Sequence, residues 1–265
     1  MSDYFIGDVQ GCFDSLQKLL RKAQFSTDKD RLFFLGDVVN RGNKSLQTLR
    51  FIKDLGANAQ MLLGNHDFHL LACVLGNGIV GSKDTFSDII SAKDCFELID
   101  FLRQQPLAIE HKNAILVHAG VPPIWDKLAL FEQTLAVEKQ LQSSQAGNFI
   151  NGAYGNLPRT WKANLSAMEK CRYTINACMR MRFCQADGSL EFAHKMNFDQ
   201  APKNFKAWFL HQNKALEGVD IFFGHWSTLQ NISHPHIYSL DTGCAWGGAL
   251  SMIRFEDKLM FRANC

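Results

Sequence analysis

Five side chains able to ligate a metal stand at the ends of short apolar runs, each with a glycine close by: Asp8, Asp37, Asn65, His118 and His225. Taken singly they have ordinary readings. An Asp or Asn after a strand caps a helix or makes a turn, and one isolated His is most often a hydrogen-bonded structural residue. Gathered at one rim, the same oxygen and imidazole donors suit Mn, Fe, Co or Zn. Two such ions about 3.5–4 Å apart, bridged by a carboxylate, are a standard device for hydrolysing phosphoesters. Arg41 lies in one of these loops, where its planar guanidinium can clamp a phosphate.

The elements that must position these residues follow from apolar spacing. Residues 4–6, 31–35 and 60–63 are short apolar runs that end in glycine-containing polar turns and lead into stretches of helical spacing. Three strand–loop–helix units predict an α/β core with a parallel component, its polar loops clustered beyond the carboxyl ends of the strands. Residues 94–105 read as a helix stopped at Pro106, and residues 114–117 as a strand entering His118. Residues 220–223 and 237–240 repeat the strand-to-glycine pattern, and residues 250–261 alternate around a turn at 256–258. Residues 122–204 read as a mostly helical insertion on one core, so a single catalytic domain over 1–265 is expected. Within the insertion, residues 179–184 and 189–192 flank a turn and predict a hairpin.

Composition narrows the class. The formal net charge is +2 over 265 residues, so no global field marks a nucleic-acid coat or a membrane-surface protein. No apolar stretch approaches the roughly 20 residues that span a bilayer, and no secretory pattern opens the chain; a soluble, cytoplasmic protein is expected. The eight cysteines include no CxxC pair and are read as reduced packing residues, not as zinc ligands.

Gly7-Asp8-Val9-Gln10-Gly11, Gly36-Asp37-Val38-Val39-Asn40-Arg41-Gly42, Gly64-Asn65-His66-Asp67, Val117-His118-Ala119-Gly120 and Gly224-His225 resemble, in order and spacing, the motif series of the calcineurin-like metallophosphoesterases. The wider context, including Arg180-Met-Arg-Phe-Cys and Leu240-Asp-Thr-Gly-Cys-Ala-Trp-Gly-Gly, resembles the bacterial symmetrical dinucleoside tetraphosphatases over essentially the whole chain. The resemblance implies a four-layer β-sandwich core flanked by helices. It also implies two divalent ions, Mn or Co, and hydrolysis of diadenosine tetraphosphate to two ADP by a metal-activated hydroxide. A nucleoside-tetraphosphate cap on RNA is a second substrate that such a site would accept; no membrane and no stable protein partner are implied.

The resemblance also distributes roles. Asp37 bridges the ions, Asp8, Gln10 and His225 complete one site, and Asn65 and His118 complete the other. Gln10 stands where the wider class usually has His; its amide oxygen is a harder, weaker donor than imidazole. His66 stabilises or protonates the leaving oxygen. Protein phosphatases of the class orient this His with an Asp where the present chain has Asn40, which carries no charge; an ADP phosphate leaves more readily than an alkoxide and needs less acid help. Arg41, with Arg180 and Arg182 on one face of a strand, would hold the polyphosphate. Tyr154, Trp161 and Trp226 are candidates for stacking on adenine, against the commoner reading of buried core aromatics. His69 shares a helical face with His66, and Asp241 is placed to orient His225. A protein serine/threonine phosphatase is the alternative reading; a non-catalytic nucleotide-binding module and a nuclease fit less well.

Overall fold

The computed structural model describes residues 2–229 and 232–265. Its strands are β1 (Ser2–Ile6), β2 (Asp30–Phe34), β3 (Ala59–Met61), β4 (Ala108–His111), β5 (Ala114–Val117), β6 (Phe183–Cys184), β7 (Leu190–Glu191), β8 (Lys206–Ala207), β9 (Asp220–Phe223), β10 (Ile237–Ser239), β11 (Ala249–Arg254) and β12 (Met260–Asn264). The helices are α1 (Phe13–Lys22), α2 (Ser45–Asp54), α3 (Asn65–Leu75), α4 (Ser87–Ile90), α5 (Cys95–Arg103), α6 (Lys127–Gln142), α7 (Ala146–Ala153) and α8 (Ala167–Arg180).

Strand residues alternate between two cores, which is why the central strands are apolar without interruption. In β1, Tyr4 and Ile6 enter the core beneath the first helices, whereas Phe5 faces the opposite sheet. In β5, Ile115 and Val117 face the other outer layer, and Ala114 and Leu116 face inward. The result is two face-packed sheets, ordered β12-β11-β1-β2-β3 and β10-β9-β5-β4, with a small β7-β6-β8 sheet outside them. Phe5, Phe33, Leu116 and Phe222 fill the layer between the two large sheets. Helices cover the outer faces, and α8 serves both outer cores, Ile175 and Met179 in one and Tyr173 and Ala177 in the other.

The pairs β1–β2, β2–β3, β5–β9 and β9–β10 are parallel. Their carboxyl ends therefore open toward one edge of the sandwich, the geometry expected from the repeated strand–loop–helix pattern.

Two sequence expectations fail. The hairpin is present, with Phe183 opposite Glu191, but residues 179–180 belong to α8. A Ser166–Glu169 capping box starts this helix, and its buried side chains carry it through Arg180, so Arg180 and Arg182 do not share a strand face. The cysteines are not all reduced: Cys244 and Cys265 form a disulfide across 21 residues, because the β11–β12 hairpin returns the chain to the loop preceding β11. The remaining six are free thiols.

The opposite edge is closed by Asp3, which is 2% exposed. Arg31 grips its carboxylate with Nε at 2.8 Å and NH2 at 3.0 Å, His111 Nε2 lies at 3.0 Å and Lys112 Nζ at 3.4 Å. One carboxylate thus ties β1, β2 and the β4–β5 turn. Burial raises its pKa, but the Arg31 hydrogen bond and the charges of Arg31, His111 and Lys112 outweigh this and leave it lowered. Asp3→Asn should cost about 2 kcal/mol in urea unfolding at neutral pH, the low side for a broken buried pair because Arg31 keeps access to water. The folded pKa is the lower one, so this contribution is complete above the unfolded value and is lost as pH falls through the folded one; the wild-type advantage should shrink in acid.

Candidate metal centre and active site

Every predicted ligand sits just past a strand end. Asp8 follows β1, Asp37 follows β2, Asn65 opens α3 after β3, His118 follows β5 and His225 follows β9. Ligand atoms of Asp37, His118 and His225 lie within 4.8 Å of one another. The neighbouring glycines explain the sequence signal: a Cβ on Gly224 would collide with the Asp8 carboxylate, and one on Gly64 with the Asp37 carboxylate and amide. Only a bare backbone lets the loops approach this closely.

The carboxylates are held by backbone N–H groups. His225 N donates to Asp8 Oδ1 at 2.9 Å, and His66 N donates to Asp37 Oδ1 at 2.7 Å. Asp67, which the sequence reading did not single out, accepts from Gly64 N at 2.9 Å, Val38 N at 3.1 Å and Val39 N at 3.3 Å. It locks the first turn of α3 onto the Asp37 loop. Asp241 follows β10, and its Oδ1 accepts from Gly243 N at 3.0 Å. It faces the cluster as a further carboxylate and does not orient the His225 ring, whose Nε2 instead meets Arg180 O at 3.1 Å.

Burial pushes Asp8 well up, with Asp241 and Asp37 adding like charge. Burial and Asp37 raise Asp67 to about 7, and burial lifts Asp241 to about 6. At Asp37 the burial effect is overcome by His118 and His66, leaving it at about 2. His118 is its partner: burial lowers its pKa, but Asp37 and Asp8 raise it to about 10. Its Nδ1 donates to Leu35 O at 2.7 Å, so Nε2, 3.4 Å from Asp37 Oδ2, points into the cluster and holds a proton where a metal would displace it.

The donor set fits divalent cations. Concentrated carboxylate charge around two imidazoles calls for positive charge. The Asn65 amide nitrogen donates to His225 Nδ1 at 2.8 Å and Met179 O at 3.1 Å. His118 and His225 converge on Asp37, so the geometry groups His225 with Asn65 and His118; the resemblance had paired it with Asp8 and Gln10. Gln10 is buried beside Asp37 and lines the same cavity.

Two cavities meet at this centre, sharing Arg41, Asn65, His66 and Arg180. One, of about 290 Å³, is lined also by Tyr154. The other, of about 570 Å³, is lined by Arg182, Lys83, Lys195 and Trp246. Tyr154 is 51% exposed and stacks on Phe68 at 16°. Trp246 is 67% exposed in a turn bounded by the left-handed Gly243 and Gly247. The Nε atoms of Arg41 and Arg182 are buried without a hydrogen-bond partner, donors that an anion would satisfy.

Two aromatic candidates fall away. Trp161 packs edge-on against Trp125 at 5.2 Å and against Tyr173, within the outer core. Trp226 is 1% exposed, and its indole N–H donates to Met196 O at 3.0 Å. Lys83, Lys195 and Trp246 were missed because isolated lysines and one Trp carry no spacing signal.

The family profile described as calcineurin-like phosphoesterase matches residues 4–225. The chain is 45% identical over 264 residues to a protein of Actinobacillus succinogenes named symmetrical bis(5'-nucleosyl)-tetraphosphatase, covering 98% of this chain and 96% of that protein. It is 43% identical to a Pasteurella multocida protein of the same name, with the same coverage. A solved structure described as a candidate diadenosine tetraphosphatase superposes with TM-score 0.64 at 22% identity, covering 99% of this chain and 93% of that one. On the strength of the profile and these relatives, the chain belongs to the calcineurin-like phosphoesterase family.

Proposed function

We propose that this chain hydrolyses diadenosine tetraphosphate symmetrically, releasing two ADP. The observation that carries the reading is a pair of cavities that share Arg41, Asn65, His66 and Arg180, one lined also by the exposed Tyr154 and the other by the exposed Trp246. A symmetrical cut requires the two nucleosides to be held on either side of the scissile linkage, and in this reading Tyr154 and Trp246 stack on one base each. Arg41, Arg180 and Arg182 hold the phosphates between them. Arg41 is pre-set by its NH1 bond to Lys83 O at 2.9 Å, and Arg182 by its NH2 bond to His225 O at 2.8 Å. Arg180 is braced by Asn156 and Asn176 at 2.9 and 2.7 Å.

Asp37, Asn65, His118 and His225 would hold one divalent ion, and Asp8, Gln10 and Asp37 the other. When bound, such ions polarise the phosphoryl oxygen and supply a hydroxide nucleophile at neutral pH. Amide and carboxylate oxygens make the Gln10 position a hard one and favour Mn or Co. His66 lines both cavities and meets the leaving oxygen. The same polyphosphate grip extends to a nucleoside-tetraphosphate cap on RNA.

Product analysis with diadenosine tetraphosphate and added Mn should give ADP as the sole nucleotide, with turnover lost on chelation and lowered about a thousandfold or more in Asp37→Ala. AMP with ATP would mean an off-centre grip and would defeat the symmetrical reading; turnover of a phosphoserine peptide in preference would favour a protein phosphatase.

Loss of either platform should act mainly on binding. Tyr154→Ala and Trp246→Ala should each raise KM about tenfold, the order of one base stack, with kcat nearly unchanged. A variant with unaltered KM removes that residue from the base site.

A further inference from the structure

Asn40 stands where a carboxylate would be needed to polarise His66, yet the structure returns a carboxylate to this position from another part of the chain. Asn40 is completely buried. Its Oδ1 accepts from Arg41 N at 2.8 Å and Thr85 N at 3.0 Å. Both partners are backbone donors, so the amide oxygen faces them, and Asp84 holds the nitrogen end. The Asn40 Nδ2 must then donate its two hydrogens to the two remaining neighbours, Asp84 Oδ1 at 2.8 Å and His66 Nδ1 at 3.1 Å.

The consequence for His66 is one of connectivity. An amide nitrogen cannot accept, so His66 Nδ1 is the acceptor and the ring hydrogen resides on Nε2. That atom lies 3.9 Å from Asp37 Oδ2, toward the reaction centre. The network continues outward: Asp84 Oδ2 accepts from Gly81 N at 2.7 Å and from His69 Nε2 at 2.9 Å. His69 Nδ1 meets the Tyr154 hydroxyl at 2.8 Å. Asp84 is therefore anchored from three sides and cannot swing away from Asn40. Burial raises its pKa, but the bonds from Asn40, Gly81 and His69 bring it down to about 2, so it accepts throughout the working range.

We propose that Asp84 is a positioning residue of the reaction: acting through Asn40, it fixes His66 as the Nε2–H tautomer and aims that hydrogen at the leaving oxygen. The proposal rests on the reading of His66 given above. His66 keeps its proton. As the P–O bond breaks, its electron pair stays on the departing oxygen, which leaves as the terminal phosphate anion of ADP with the Nε2–H hydrogen bond stabilising the growing charge. An alkoxide leaving group would need the proton itself, which this tautomer does not surrender readily, so the network favours anhydrides over phosphoserine esters.

The wiring is tested on metal-free protein carrying ¹⁵N-labelled histidine, with His66 assigned by its loss in His66→Ala. The wild type should show an unprotonated, hydrogen-bonded Nδ1 and a protonated Nε2. In Asp84→Ala the two signals should move toward each other as the tautomers mix, and Asp84→Asn, which keeps the shape but has only one acceptor oxygen, should fall between and serves if the alanine variant does not fold. In manganese-loaded enzyme, Asp84→Ala should lower kcat about tenfold with KM within about twofold, and the His66→Ala, Asp84→Ala double variant should be no slower than His66→Ala alone. Additive losses, or an unchanged tautomer in Asp84→Ala, would overturn the proposal. If His66→Ala itself leaves kcat intact while the tautomer still depends on Asp84, the catalytic reading of His66 fails, and the role of Asp84 in the reaction fails with it.

Discussion

Buried carboxylate charge is the constraint on which the rest of this structure depends. Asp8, Asp37, Asp67 and Asp241 are each at most 6% exposed, and three of the four have raised pKa values because burial and mutual repulsion oppose ionisation. Isolated carboxylates cannot be kept charged in an apolar interior. The chain meets this with backbone N–H donors supplied by loops at the strand ends, which compensate in part without occupying every oxygen. The remaining demand for positive charge is what divalent ions satisfy. Glycines 64 and 224 are needed for the same reason, since the donors reach the carboxylates only where no side chain intervenes.

The loops that achieve this are strained. Gln10, Asp37, Asn40, Arg41 and His225 all have positive φ, between 44° and 78°, a conformation that costs a non-glycine residue on the order of 1 kcal/mol or more. Cross-loop bonds hold them there. Gln10 N donates to Asp37 O at 2.8 Å, Gly11 N to Val38 O at 3.0 Å and Gly42 N to Gln10 O at 2.8 Å. Because the first two motif loops are bonded to each other, neither can relax alone. Among the described residues, positive φ also occurs at Gln24, Lys112, Asn204, His236 and Lys258, but only in these motif loops do several such residues lie together around buried carboxylates, and the two-sheet core beneath them supplies the stability that tolerates it.

This division explains what the sequence reveals. Central strands buried on both faces must be apolar, and ligands at their carboxyl ends must be flanked by small residues, so strand, glycine and ligand occur together in the chain and can be read from it. The features that escaped are made by contacts between distant segments. Asp84 reaches Asn40 across 44 positions, and Cys265 meets Cys244 only through a hairpin. Neither lies in a local pattern that distinguishes it from a surface Asp or a spare thiol. Trp161 and Trp226 failed for the complementary reason: an aromatic in a helical or loop segment carries no mark of whether it faces a cavity or a core.

The position of Asn40 shows how a local departure from a family pattern can mislead when it is read alone. On the chain, an amide in place of a carboxylate looks like a weakened acid. In space, the residues after α3 fold back so that Thr85 N and Arg41 N take the amide oxygen, while Asp84 takes one amide hydrogen and leaves the other for His66. An Asp at the same position would place two carboxylates within hydrogen-bonding distance in a buried site, where like charges oppose each other strongly. Asn40 and Asp84 therefore have to be considered as one unit: given Asp84, the amide is the side chain that connects donors and acceptors without an uncompensated charge. The same unit reaches His69 and Tyr154, so His66 and Tyr154, which line one cavity, belong to a single hydrogen-bonded structure.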